Sequence, residues 1–384
     1  MLKSIKHLVL LSFILTSLSR AHAQPAITWE NDFSTAPASK GFVALRNGNI
    51  ISVETNPTDT GPAIKCWLST DQGKTWQDLG TITTAEHHVD LGDSVMIELQ
   101  NGDLLVSYRR NRYRGDYQNN PEFNIETSIS HDGGKTWSFH STVAKSKPGK
   151  PGQGLWASTL HQRKNGTIQC YFDDEDTPYK KGYQGHQWVT MRTWNPTKKA
   201  WVKPVTVART PNPKNLSRDG MPSITEWPSG RMMAVFEAVD PNPPHANLIA
   251  ATFSTNGGKT WNWKKRRTII HGGAPSKHLS ISPWTARFGN TVVCVFATDE
   301  DRPSPGVSGT PVHKLSMDLK YAYTTNRGKT WSDVKTLYNQ SGNIYKPSIA
   351  ILPDGSSHNM LVMFLDIAAN CNRSVRGNIT FPKE

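Results

Sequence analysis

Ser130-His131-Asp132-Gly133-Gly134-Lys135-Thr136-Trp137 is one of four copies of the same phrase in this 384-residue chain. The others are Ser69-Thr70-Asp71-Gln72-Gly73-Lys74-Thr75-Trp76, Ser254-Thr255-Asn256-Gly257-Gly258-Lys259-Thr260-Trp261 and Thr324-Thr325-Asn326-Arg327-Gly328-Lys329-Thr330-Trp331. Asp or Asn folds its side chain onto backbone N–H groups in a tight turn, and Gly supplies the positive φ that such a turn needs. Trp buries a large ring where the chain re-enters the core. One copy reads as an ordinary hairpin turn; four define a repeat. A worn copy, Thr193-Trp194-Asn195-Pro196-Thr197-Lys198-Lys199-Ala200-Trp201, fills the long central gap, and the Trp series then steps by 61, 64, 60 and 70 residues. A period of this length with strand-like segments inside it marks a repeat array or propeller.

The segments between the turns repeat as well. Each unit opens with an apolar run, turns at a glycine corner and continues in a second apolar run. The corners are Asn47-Gly48, Asn101-Gly102, Asn165-Gly166, Ser229-Gly230, Gly289-Asn290 and Asp354-Gly355. These are hairpin signals between β-rich runs. Six corners predict an all-β, six-bladed β-propeller. The sixth unit lacks the turn motif after Cys371, and Ala26 to Phe33 is strand-like and unassigned. That segment is expected to pair with the last blade and close the ring, removing an open edge.

Residues 1–23 read as a secretory signal: Lys3 and Lys6 precede a short apolar run, Leu8 to Leu18, and Ala21-His22-Ala23 is a small-x-small cleavage site. The apolar run is too short to span a bilayer. The expectation is a secreted or periplasmic protein with a single propeller domain over 24–384, monomeric and without membrane insertion. The formal charge of +13 falls to about +10 without Lys3, Lys6 and Arg20, a basic surface that suits anionic glycans or is simply solvated. Zinc-finger spacing, nucleotide-binding glycine loops and basic helices are missing from the sequence, which argues against nucleic acid as a partner. Cys170 and Cys294 fall at matching points of two apolar runs, and buried free thiols are the simplest reading of them.

In a propeller the ends of second strands and the starts of first strands meet at one mouth. The second-strand ends read Val53-Glu54-Thr55-Asn56, Tyr108-Arg109-Arg110-Asn111, Phe172-Asp173-Asp174-Glu175-Asp176, Phe236-Glu237-Ala238, Ala297-Thr298-Asp299-Glu300-Asp301 and Phe364-Leu365-Asp366. They are expected to set several carboxylates and two arginines around one opening. Two carboxyls across a small cleft, one protonated and one ionised, are the minimal equipment for glycoside hydrolysis. Asp176 and Glu300 taken alone read as loop acids or partners of basic groups. Glu237 directly follows Met232-Met233-Ala234-Val235-Phe236, so it is expected at the mouth.

The repeated turn resembles the Asp-box of the sialidase superfamily. Gly154-Leu155-Trp156, Tyr171-Phe172-Asp173-Asp174-Glu175, Arg218-Asp219-Gly220-Met221, Ala234-Val235-Phe236-Glu237, Gly273-Ala274-Pro275 and Thr298-Asp299-Glu300-Asp301 together resemble the exo-α-1,5-L-arabinanases of glycoside hydrolase family 93. That resemblance implies a retaining, exo-acting hydrolase of a plant-type polysaccharide, with no cofactor and no metal. It implies Glu237 as nucleophile and Glu175 as acid/base, with Asp173 and Asp174 open as alternatives for the latter. Arg218 and Asp219 are implied to contact sugar or orient Glu237, and Trp156 to stack on a sugar or fill the core. Arg109, Arg110, Asp299 and Asp301 complete the expected substrate-binding set. Where the family has an acid and a proline after Gly-Leu-Trp, this chain has Ala157 and Ser158. Three other readings stand beside it: an exo-sialidase, although the Arg-Ile-Pro expected near the first strand is Gly41-Phe42-Val43 here; a non-catalytic glycan-binding propeller; and a lyase on an acidic polysaccharide using His186 or His278 as base.

Overall fold

A computed structural model describes residues 24–112, 121–147, 153–212, 214–239, 247–270, 278–304, 306, 310–340, 342–353, 355–356 and 358–382. The segment read as a signal, Gly273-Ala274-Pro275 and Asp354 lie outside the described residues. The chain forms six antiparallel sheets, and each sheet is one blade of a ring. The inner strands are Val43–Ala44, Val89–Glu98, Leu155–Gln162, Arg218–Glu226, Ser280–Phe288 and Ile344–Ile351. Each of these packs against the inner strand of the next blade, the sixth against the first. Second strands such as Met232–Val239 and Thr291–Thr298 are apolar on both faces because a blade is covered by a neighbour on each side. The core is therefore a series of slabs between blades rather than one central mass.

The ring closes as expected. Ala26–Trp29 pairs with Cys371–Thr380, setting Ala26 opposite Thr380 and Trp29 opposite Gly377. Trp29 packs edge-on to Tyr321 at 5.6 Å and lies in the slab between blades five and six. It takes the place that a turn-motif Trp takes elsewhere: Trp137 packs between blades one and two, Trp331 between blades four and five.

The turn motif joins the third and fourth strands of its blade, far from the inner strands. In the second blade the Ser130 hydroxyl and the Lys135 and Thr136 N–H groups donate to Asp132 Oδ1, and the Thr136 hydroxyl donates to Oδ2. Asn256 and Asn326 keep the same geometry with an amide. The worn copy keeps one such bond, from Lys198 N–H to Asn195 Oδ1 at 2.9 Å. Burial acts to raise Asp71, but bonds from Thr75, Ser69 and Lys74 outweigh it and hold this carboxyl at about 2. Hydrogen bonds from Thr136, Ser130 and Lys135 hold Asp132 low in the same way.

A depressed carboxyl contributes stability that is present above its unfolded value near 4 and lost as pH falls through the folded one. The window for these turns is therefore about pH 4 down to about 2. The double substitution Asp71→Asn/Asp132→Asn is expected to unfold at a lower denaturant concentration than the parent at neutral pH, with the gap closing as pH falls through this window. Parallel curves across the whole range would show that the turns do not titrate as described.

Cys66, Cys170, Cys294 and Cys371 are free thiols, and burial pushes the Cys66 thiol up to about 12. At the end of the axis away from the mouth, a cavity of about 390 Å³ is lined by Val43, Arg46, Ile97, Glu98, His161 and Gln162. Its charged groups are occupied, Arg46 with Glu98 and His161 with Glu226.

Candidate active site

The mouth is built by a backbone device that recurs from blade to blade. Five inner strands shift register soon after they begin, between Gly92 and Val95, Leu155 and Ser158, Gly220 and Ser223, Ile281 and Trp284, and Tyr345 and Ser348. Four of these bulges hold a non-glycine residue at positive φ: Asp93 at 50°, Met221 at 51°, Ser282 at 53° and Lys346 at 46°. Such a conformation is costly and clusters where function needs it. The inner strand faces the axis with one unpaired edge, so proline is tolerated directly after the bulged residue at Pro222, Pro283 and Pro347.

Two of these left-handed residues turn their N–H toward the preceding blade. Met221 N–H donates to Asp173 Oδ1 at 3.0 Å, and Ser282 N–H donates to Glu237 Oε2 at 2.8 Å. Asp173 and Glu237 are equivalent residues of blades three and four, seven positions after the corner glycines Gly166 and Gly230. Gly220 makes the fit possible, because a Cβ there would lie 2.7 Å from Asp173 Oδ2.

Burial pushes Asp173 well above the usual carboxylate range. Lys40, the Met221 N–H and Arg218 oppose that rise, and the charge on Glu237 adds to it. Burial also raises Glu237, against the Ser282 N–H, Lys40, Arg218 and Lys346. Burial thus raises both neighbouring carboxyls, and Asp173, raised further by the charge on Glu237, is the one more inclined to keep its proton.

The rest of the predicted set separates into groups inside and outside this centre. Arg109, the blade-two residue in the same register, turns inward and clasps Asp90 at 2.9 and 3.0 Å and also Asp93, which takes Lys346 Nζ at 2.6 Å. Trp156 lies beside it, with its ring 6.0 Å from the Arg109 guanidinium carbon and 5.8 Å from Phe123. Arg218 bridges Gln187 Oε1 at 2.8 Å and Glu175. Glu175 also accepts the Gly154 N–H at 2.8 Å and precedes a single helical turn, Asp176–Lys180. Asp174 is occupied by the Thr177 N–H and hydroxyl. Asp219 is fully buried against Arg266 and the Ser217 hydroxyl.

Three predicted residues lie away from the centre. Arg110 turns to the opposite face and meets Glu86 at 3.2 Å. Asp299 holds the Leu279 and Gly306 N–H groups, and Asp301 pairs with Lys320 at 2.6 Å. Side chains alternate along a strand, so Arg109 and Arg110 cannot both face inward.

Lys40, Asp93, Tyr345 and Lys346 were not foreseen. Lys40 immediately precedes Gly41, whose φ of +91° and close approach to the Ser94 carbonyl leave no room for a Cβ. Ser348 Oγ donates to the Ser39 carbonyl at 2.6 Å, so the Lys40 backbone is held between blades two and six. Tyr345 stands beside Glu237; burial and the Glu237 charge both raise its phenol. The residue-Pro pair that recurs at the start of inner strands would have found Lys346, and Tyr345 beside it, but it does not mark Lys40 or Asp93. Among the described residues no three His, Cys, Asp or Glu side chains gather as a metal site would need.

The BNR/Asp-box repeat model matches residues 67–78 and 128–139. No curated protein matches the chain. Solved structures do. An α-L-arabinofuranosidase of Fusarium graminearum, as a mutant with an iminosugar inhibitor, is 19% identical with a TM-score of 0.64, covering 91% of this chain and 96% of its own. An α-L-arabinanase of Penicillium chrysogenum with arabinobiose is also 19% identical at 0.64, with coverage of 94% and 99%. The NanB sialidase of Streptococcus pneumoniae is 12% identical at 0.56, covering 91% of this chain and 69% of that one. The chain is a sialidase-type six-bladed β-propeller. At these identities the likeness concerns the fold; the chemistry rests on the mouth itself.

Proposed function

We propose that this propeller is a retaining glycoside hydrolase acting on a neutral plant-type glycan such as α-1,5-linked arabinan. The observation that carries the reading is the pair Asp173 and Glu237, two buried carboxyls at equivalent positions of adjacent blades, both raised by burial and Asp173 further by the charge on Glu237. Glu237, held by the Ser282 N–H and facing Lys40, Arg218 and Lys346, attacks the anomeric carbon and forms a glycosyl-enzyme. Asp173 gives its proton to the leaving oxygen and then takes one from the water that releases the sugar.

Asp173 is favoured over Glu175 because Glu175 is ion-paired with Arg218 and accepts a backbone N–H, the bonding of an ionised carboxylate. The sialidase reading is disfavoured because gripping a sialate carboxylate needs uncommitted guanidiniums. Arg109, Arg110 and Arg218 are each paired with an acid. The lyase reading needs a base aimed into the mouth, whereas His186 packs edge-on to Tyr183 and His278 lies against Asp299. Export, read from residues 1–23, belongs to the same proposal.

The test is product release from linear arabinan beside a fluorogenic sialoside. Arabinose or short arabino-oligosaccharides are expected, with β-anomer-free, retained stereochemistry in the first product seen by NMR. Sialate release would replace this reading with the sialidase one, and release of neither would remove arabinan as substrate.

A further inference from the structure

We propose that Lys40 is a substrate-binding residue whose ammonium donates hydrogen bonds to the hydroxyls of a neutral sugar seated between Asp173 and Glu237. This rests on the glycosidase reading of the mouth and names the group that grips the sugar there.

Lys40 is 5% exposed. Its Nζ has one hydrogen-bond contact, Met221 Sδ at 3.9 Å, and lies 5.3 Å from the centroid of the Trp284 ring. An ammonium carries three donors, and a thioether is a weak acceptor. Among the described residues every other cation of the mouth has a carboxylate within ion-pair reach: Arg109 has Asp90 and Asp93, Lys346 has Asp93, and Arg218 has Glu175. Lys40 has none. A buried charge without a full set of partners is costly to keep, and a ligand that supplies oxygen acceptors recovers that cost. The Trp284 ring beside the ammonium offers the apolar surface on which a sugar ring rests.

The charge balance selects a neutral ligand. Arg109, Lys346 and Arg218 are each committed to a carboxylate, and Asp173, Glu237 and Glu54 all face Lys40, so the acids around this one ammonium disfavour an acidic sugar. The groups that face Lys40 come from five blades: Glu54, Arg109, Asp173, Glu237 and Lys346. Burial, with Lys346 and Arg109, brings Lys40 down to about 8 against the pull of Asp173 and Glu237. Sugar affinity is therefore expected to fall as pH rises through about 8.

The experiment is titration calorimetry of the full protein and its Lys40→Met variant against arabinobiose, other neutral disaccharides, a galacturonate disaccharide and sialyllactose. Lys→Met keeps the stem and removes a buried charge, so the variant is expected to melt no lower than the parent. Loss of a charged hydrogen bond is expected to weaken neutral-sugar binding about tenfold to hundredfold and to abolish its alkaline fall-off. Equal affinity in parent and variant overturns the assignment, as does a parent that binds only the acidic sugars or no neutral sugar. Failure of arabinobiose alone, with another neutral sugar bound in a Lys40-dependent way, removes arabinan and leaves Lys40 in place.

Discussion

Glu237→Gln is expected to lower kcat/KM by roughly 10⁴-fold or more, since it removes the attacking group while keeping its shape. The fold is not expected to suffer. A carboxyl whose folded pKa lies above its unfolded value contributes stability below about pH 4 that is lost as pH rises through the folded value. Burial places both Glu237 and Asp173 in that class. At neutral pH each therefore weighs on the fold, and the amide variants should melt at the parent temperature or above it.

The proton donor is identified by comparing Asp173→Asn with Glu175→Gln on two leaving groups. Loss of a general acid costs about 10²–10⁴ on a sugar leaving group and much less on an activated aryl glycoside, which departs without help. Asp173→Asn is expected to show that split, and Glu175→Gln to lower both substrates alike by releasing Arg218. The reverse pattern would move the acid to Glu175 and redraw the site around Arg218. Full activity in Glu237→Gln would end the glycosidase mechanism and leave a binding propeller.

The second large effect concerns ring closure. Trp29→Ala is expected to cost about 2–3 kcal/mol, less than the figure for a fully buried Trp because this ring is only half-buried. Phe33, packed on Tyr338 at 4.7 Å and on Phe364 at 6.0 Å, should cost a similar amount, about 2 kcal/mol. Removing residues 24–36 altogether strips both Ala26–Trp29 and Ser34–Ala36 from Cys371–Thr380 and leaves that strand with an unpaired edge. The shortened protein is expected to aggregate or to unfold at much lower denaturant. Phe381→Ala, half exposed at 50%, is the control and should change little. A shortened protein with the parent midpoint would show that the sixth blade does not depend on this closure.

The repeated Trp turns marked a propeller, the six glycine corners gave the blade number and the unassigned strand-like start gave the closure, because each rests on local chemistry: a carboxylate or amide over N–H groups, a glycine corner, an edge that needs a partner. The facing of individual residues was harder. Arg109 and Arg110 are neighbours, yet only Arg109 turns inward. Asp173, Asp174 and Glu175 read as one acidic run, but they face blade four, a local turn and Arg218 in that order. Counting seven residues from the corner glycines of blades two, three and four selects Arg109, Asp173 and Glu237, and that register is available from sequence once the blades are aligned. Lys40 was beyond such a rule. Its place depends on Gly41 fitting against Ser94 and on Ser348 holding Ser39, contacts between blades far apart in the chain.

The inner-strand bulges have an evolutionary consequence. The residue that each one presents to the axis lies outside the regular ladder, on an edge that has no further strand to satisfy. Exchanging it alters the mouth and leaves the pairing beneath it intact. Each blade can therefore change its contribution to specificity separately, and a ring of this kind can drift from one glycan to another by single replacements.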